Sequence, residues 1–266
     1  MARRTTTRGD GRARGKGVNA TPTETPPTVT PARTGRDASQ SFVGVHAQLR
    51  AAILAGEIPA GATTSQAALV NEFGVGRTPL REALRMLQRE RLVTSEPNHR
   101  VRIAELSSED AEELYIMRIT LEAVAIRMTV PVLTPTDLAE LEGFMAQMAH
   151  YAKTGNMAGY RVPHSEFHHR LVYAAGSRVS AEIAELFDHS ERYRRGYGGK
   201  WQDRAEEHRA ILNAATAGDA DGAAALLAEH YLHTVRLVFE VMDPSHDLSR
   251  LRTAVSVVAP GAVTRL

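Results

Sequence analysis

The sequence predicts a mainly α fold in two parts, an N-terminal winged helix-turn-helix and a C-terminal all-α antiparallel helical bundle of about six helices. Three observations carry this expectation. Apolar residues recur at helical spacing from Val45 onward. Strand-like alternation is confined to a short stretch around Val101 and Ile103. Residues 107–242 run in helical pattern between short breaks such as "LTPTD", "KTGNM" and "AGDAD".

At 266 residues and 43% hydrophobic content the chain can bury substantial cores. It has no cysteine, which excludes disulfides, thiolate metal sites and cysteine nucleophiles and leaves only imidazole or oxygen ligands for any metal. No apolar run is long enough to span a bilayer and the first forty residues lack the apolar stretch of a secretory signal, so a cytoplasmic location is expected. The formal net charge of +1 conceals a gradient: residues 1–39 carry +5, residues 40–106 +2 and residues 107–266 −6. A basic front and an acidic back imply different partners for the two halves.

Residues 1–40 are crowded with Gly, Pro, Thr and Arg and hold almost no large apolar side chain, which predicts a disordered basic arm. The DNA-binding part is expected over 41–106. Val45, Leu49 and Ile53 define one stripe of a first helix that Gly56 can close. Thr64 or Ser65 can cap a second, short helix ended by Gly74. A third is expected to start at Thr78 as cap with Pro79 at its first position, burying Leu80, Ala83, Leu84 and Leu87. Its opposite face carries Arg81, Arg85 and Arg89 one turn apart, with Arg77 beside the helix N-terminus, a row suited to the major groove and its phosphates. A strand, a turn at Pro97-Asn98 and a returning strand make a wing whose tip presents His99 and Arg100 to an adjacent backbone or minor groove.

The core "GVGRTPLREALRMLQRERLV", with "LRAAILAGEIPAG" before it and the wing after it, resembles the winged helix-turn-helix of the GntR family of bacterial transcription regulators. That resemblance implies that Arg77 and Arg81 read bases while Gly76 and Thr78 contact the backbone. Ala67 stands where relatives often carry arginine, and Arg100 where the wing tip usually has glycine.

Within 107–242, the first helix is expected to present Leu114, Met117, Leu121, Val124 and Met128 as one stripe, with further helices at about 134–153, 157–174, 178–196, 200–217 and 219–242; residues 243–266 read as a C-terminal tail. His164 and His168 lie one turn apart in "VPHSEFHHRL", a spacing at which two imidazoles can share a metal, and His208 and His230 sit on later helices, with His233 a rival for the fourth place. Through "MRITLEAVA", "SEFHHRLVYAAGS" and "EEHRAILNAATAGDADGAAALLAEH" this half resembles the FCD-type effector and dimerisation domain. The resemblance implies a divalent metal on His164, His168, His208 and His230, with His164 where relatives usually carry Asp. Four neutral imidazoles favour zinc, nickel or copper over magnesium or calcium.

Together the two resemblances imply a non-enzymatic, homodimeric transcriptional regulator, a repressor at a palindromic operator on double-stranded DNA, that binds a metal and a small carboxylate effector. Arg118 is the residue expected to meet that carboxylate, against a plain salt bridge to Glu122. Two alternatives are a regulator for which the metal itself is the signal and a metal-dependent hydrolase with a DNA-binding head, the latter short of a general base because Glu166 lies off the His164/His168 face.

Overall fold

The computed structural model describes residues 40–197 and 204–265, so the basic arm expected over 1–40 lies, but for its last residue, outside them. The head comprises α1 (Phe42–Ala55), β1 (Thr63–Ser65), α2 (Gln66–Phe73), α3 (Arg77–Arg89), β2 (Val93–Glu96) and β3 (Arg100–Ile103). Val45, Leu49 and Ile53 of α1 and Leu80, Ala83, Leu84 and Leu87 of α3 are buried together, as their spacing predicts. Gly56 and Gly74 close α1 and α2 in the left-handed region, and the Ser65 hydroxyl accepts the Ala68 N–H at 3.1 Å.

Two details differ from the sequence reading. The third helix starts at Arg77 with Gly76, not Thr78, as its cap, and Pro79 occupies the third helical position. A missing N–H is tolerated anywhere in the first turn, and a side chain at Gly76 would press on the Pro79 ring at 3.3 Å. The wing also has a third strand, in the order β1-β3-β2 and antiparallel throughout, because the polar segment Thr63–Ser65 pairs with Arg100–Arg102.

The bundle comprises α4 (Ser108–Thr129), α5 (Pro135–Thr154), α6 (Met157–Val172), α7 (Ser177–Tyr197), α8 (Ala205–Thr216), α9 (Ala220–Met242) and α10 (Ser249–Val258). Thr134 and Asp137 form a reciprocal capping box at α5, while Ser107, Asn156 and Asp219 cap α4, α6 and α9. Helix α4 runs through the middle and packs against α6, α7, α9 and α10. Its buried face is Ala111, Tyr115, Ile119, Ala123 and Ile126, together with the ionic pair Arg118 and Glu122.

The stripe expected on this helix mostly faces outward. Leu114 is buried, but Met117, Val124 and Met128 are 44%, 51% and 51% exposed. The helix is apolar on two sides, and periodicity alone does not say which side meets the core. The segment expected as a tail contains α10, whose Leu251 and Val255 are fully buried and whose Leu251 N–H donates to Glu112 at 3.0 Å. No helix among the described residues is long and apolar enough to cross a membrane.

Candidate metal centre and DNA-reading surface

Helix α6 carries His164 and His168 on one side, α8 brings His208 and α9 brings His230. Each offers one ring nitrogen, and these four atoms all lie within 4.8 Å of one another. Ring centroids of neighbouring pairs are 4.6 to 5.4 Å apart. His168, His208 and His230 are buried. His233 is not part of the cluster: it is turned to Glu207, with Nδ1 2.6 Å from Oε1.

The surrounding hydrogen bonds fix which nitrogen of two rings faces inward. The Tyr231 hydroxyl donates its proton to Glu122 Oε2 at 2.5 Å, so its oxygen accepts from His168 Nδ1 at 3.0 Å. That leaves the lone pair on His168 Nε2, which is buried without a partner. Likewise His230 Nδ1 donates to Glu207 Oε2 at 2.7 Å, leaving Nε2 as its donor to an ion. Both ring nitrogens of His208 are buried and unpartnered.

Burial first, and then mutual repulsion and nearby arginine charge, hold His164, His168 and His208 well below the ordinary imidazole pKa. Burial lowers His230 too, while its bond to Glu207 works in the opposite direction. Burial alone would raise the Glu207 carboxylate, but the His230 bond and charge, followed by His233 and Arg204, hold it down to about 2. The site therefore offers neutral nitrogen donors backed by one anionic carboxylate, a set that fits a borderline divalent metal.

A cavity of about 450 Å³ opens beside the imidazoles, lined by His164, His208 and His230 with Arg118, Arg194 and Tyr231 among others. Arg118 forms the salt bridge to Glu122 that is the alternative to its expected role toward a carboxylate. Its Nε pairs with Glu122 Oε1 at 2.9 Å and its Nη1 donates to Ser190 Oγ at 2.6 Å, while Nη2 is buried without a partner. The guanidinium lies 4.2 Å from the Tyr231 ring centroid and 5.0 Å from that of Phe187. Burial alone would lower its pKa, but Glu122 raises it, so the charge persists.

On the head, Gly76, Arg77, Thr78, Arg81, Arg85, His99 and Arg100 are all exposed. Arg77, Thr78, Arg81 and His99 line one cleft with Gln66 and Ala67. Arg85 is paired with Glu82 at 2.7 Å. Asn98 and His99 both have positive φ, at 59° and 56°, and the Arg100 N–H closes the turn on the Pro97 carbonyl at 3.3 Å. Two successive residues in the left-handed region suit a two-residue hairpin turn between twisted strands.

The sequence reading missed Glu207 and Tyr231, which orient the histidines, although each is the immediate neighbour of one. It also missed the contacts between the two halves. Arg50 of α1 bridges Glu90 and Asp188, at 2.7 Å each, and Arg192 donates to the Ala104 carbonyl at 2.9 Å. Tyr193 donates to Asp110 at 2.5 Å and accepts the Ser107 N–H at 3.3 Å.

A winged helix-turn-helix with an arginine-lined reading helix, set in front of a helical bundle with a histidine-lined cavity, defines the class: a two-domain transcription regulator. Residues 43–103 match the family model for bacterial regulatory proteins of the gntR family, and residues 113–233 match that for the FCD domain. The chain belongs to the GntR family of transcriptional regulators and carries an FCD domain behind its DNA-binding domain. It is similar to YdhC, an HTH-type transcriptional regulator of Bacillus subtilis, with 24% identity over 208 residues, 76% of this chain and 92% of YdhC. The HTH-type transcriptional repressor GlaR of Escherichia coli is 25% identical over 190 residues, 65% of this chain and 84% of GlaR. A probable D-xylose utilization operon repressor of Paenarthrobacter nicotinovorans is 27% identical over 188 residues, 68% and 78% of the two chains. The solved structure of E. coli McbR/YncC shares the fold, with a TM-score of 0.66 at 21% identity over 75% of this chain and 97% of that one.

Proposed function

We propose that the chain is a metal-containing repressor whose grip on a palindromic operator is set by a small carboxylate bound in the helical domain. The observation that carries this reading is the convergence of four neutral imidazoles, with His168 Nε2 and both His208 nitrogens buried and unpartnered. His164, His168, His208 and His230 would hold the ion, zinc first, with nickel or copper as alternatives. Bound there, it would supply a Lewis-acidic seat for a carboxylate oxygen. The unpartnered Nη2 of Arg118 on the same cavity favours pairing with a second oxygen of that group. Glu191, a carboxylate on the lining, is held by Arg194 at 2.7 and 2.5 Å, which favours binding over hydrolysis.

On the DNA side, Arg77 and Arg81 would read base edges, Gly76, Thr78 and Arg85 would contact phosphates, and His99 and Arg100 would extend the footprint from the wing. The outward stripe Met117, Val124 and Met128 on α4 supports a homodimer joined through that helix, which would present two heads to two half-sites. The names of GlaR and the D-xylose operon protein support repression as the mode.

The test is operator binding by fluorescence anisotropy on a DNA selected from a random pool. Metal is titrated at fixed organic acid, and then acid at fixed metal. The expected result is that acid changes operator affinity only in the metal-loaded protein and that metal alone does not. Release by zinc or nickel without acid would instead make the metal the signal.

A further inference from the structure

Three arginines on the cavity wall, Arg161, Arg195 and Arg204, form no ion pair among the described residues. Among the described residues the lining includes Arg118, Arg161, Arg194, Arg195 and Arg204 against one carboxylate, Glu191. Two of these arginines are compensated. Arg118 is paired with Glu122, and Arg194 takes both oxygens of Glu191. Among the described residues Arg195 is bonded only to a neutral group, the Glu191 backbone carbonyl at 3.2 Å, and its Nη2 is buried without a partner. Arg204 meets the Thr234 hydroxyl at 2.6 Å and the His230 carbonyl at 3.4 Å, both neutral. Arg161 is exposed, and among the described residues no carboxylate lies at ion-pair distance from it. Its charge, after burial, lowers the pKa of Arg195, which Glu191 and Asp188 only partly offset, so these two cations repel one another.

The four histidines are neutral and a divalent ion would add further positive charge, so Glu191, Glu122 and Glu207 still leave the five arginines of the wall in excess. Holding a buried, unpartnered guanidinium nitrogen of Arg195 near a second cation without a counter-ion is costly, and a second negative group relieves it. Arg195 follows Ser190, the partner of Arg118, by five residues on α7, about 7 Å of helical rise, so one small molecule can touch both. We infer that the effector is a small acid with at least two anionic groups, the second a carboxylate or phosphate held by Arg161 and Arg195. This inference rests on the reading above, that the cavity takes a carboxylate.

The experiment compares butyrate, succinate and 2-phosphoglycolate by isothermal titration into the full-length, zinc-loaded protein. Succinate or 2-phosphoglycolate is expected to bind roughly tenfold or more tightly than butyrate, the value of one charge-assisted pair. The preference between the two dianions tells a carboxylate subsite from a phosphate one. In Arg161→Gln and in Arg195→Gln the advantage of the dianions should fall away while butyrate affinity and zinc content stay unchanged. Arg161 is exposed, so its variant keeps the test valid even if Arg195→Gln fails to fold. Equal binding of butyrate and both dianions, or a preference that survives in Arg161→Gln, overturns this inference alone. Failure of all three acids to bind overturns both it and the carboxylate reading of the cavity.

Discussion

Replacing Glu207 by glutamine isolates the contribution of one negative charge to the histidine cluster. The carboxylate sits 2.7 Å from His230 Nδ1, and a glutamine in its place can still accept that N–H through its amide oxygen. The tautomer of His230 is thereby kept and only the charge is lost. Removal of such an orienting partner costs roughly 10–100-fold in metal affinity, which is about 1.4–2.7 kcal/mol. At metal concentrations well above Kd, the same loss lowers the metal-induced rise in Tm by roughly 3–10 °C. The assay is competition for zinc against a chromophoric chelator, beside melting of the apo and loaded proteins. His233→Ala is the control, since His233 uses the other oxygen of Glu207 at 2.6 Å and lies outside the donor cluster. It should leave zinc affinity unchanged. The reasoning fails if Glu207→Gln holds zinc as tightly as the parent protein, or if His233→Ala weakens zinc as much as Glu207→Gln does.

Further outcomes follow from other parts of the structure. Arg81→Ala should cost about 1–3 kcal/mol of operator binding and relax specificity at one base pair; Arg85→Ala, already paired with Glu82, should cost less and reduce the salt slope by about one, both read by anisotropy across salt concentrations. The double variant Met117→Asp/Val124→Asp should sediment as a monomer, because it sets charges in the exposed stripe of α4. Leu251→Ala should lower stability in urea by about 2–5 kcal/mol, since Leu251 is fully buried; a loss under about 0.5 kcal/mol would mean that α10 only rests on the surface. Asp188→Asn removes the α7 end of the bridge through Arg50 and should shrink the effect of effector on operator affinity, with zinc binding unchanged.

The sequence exposes those features that depend on spacing within one element. The first and third helices were readable because Val45, Leu49 and Ile53, and Leu80, Ala83, Leu84 and Leu87, each repeat on one face against polar neighbours. The His164/His168 pair was readable for the same reason. Helix α4 shows where this stops: Met117, Val124 and Met128 are as periodic as Tyr115, Ile119 and Ile126, yet only the second set is buried. Strand β1 is three polar residues with no alternation to betray it, and it exists because β3 has an edge to fill. Glu207 and Tyr231 were hidden for another reason. Their roles rest on contacts to His230, 23 residues away, and to Glu122, 109 residues away, and no local pattern encodes such pairings.

The same long-range contacts make α7 the element shared by the two halves. Ser190, Glu191 and Arg194 line the cavity, and Ser190 is tied to Arg118. Within the same turns, Asp188 holds Arg50 of the head, Arg192 holds the Ala104 carbonyl after the wing, and Tyr193 holds Ser107 and Asp110 at the start of α4. Arg50 in turn grips Glu90, the residue that caps the reading helix α3. An anion that draws Arg118 toward the cavity competes with its bond to Ser190, while one that engages Arg195 pulls on the turn that follows Tyr193. Either displacement would be carried along a packed helix, because a close-packed interior shifts as a body rather than deforming locally. A binding event in the cavity would therefore have a short covalent and hydrogen-bonded route to the orientation of the head, because the same helix lines the cavity with Arg194 and Arg195 and holds Arg50, the residue that grips Glu90, through Asp188.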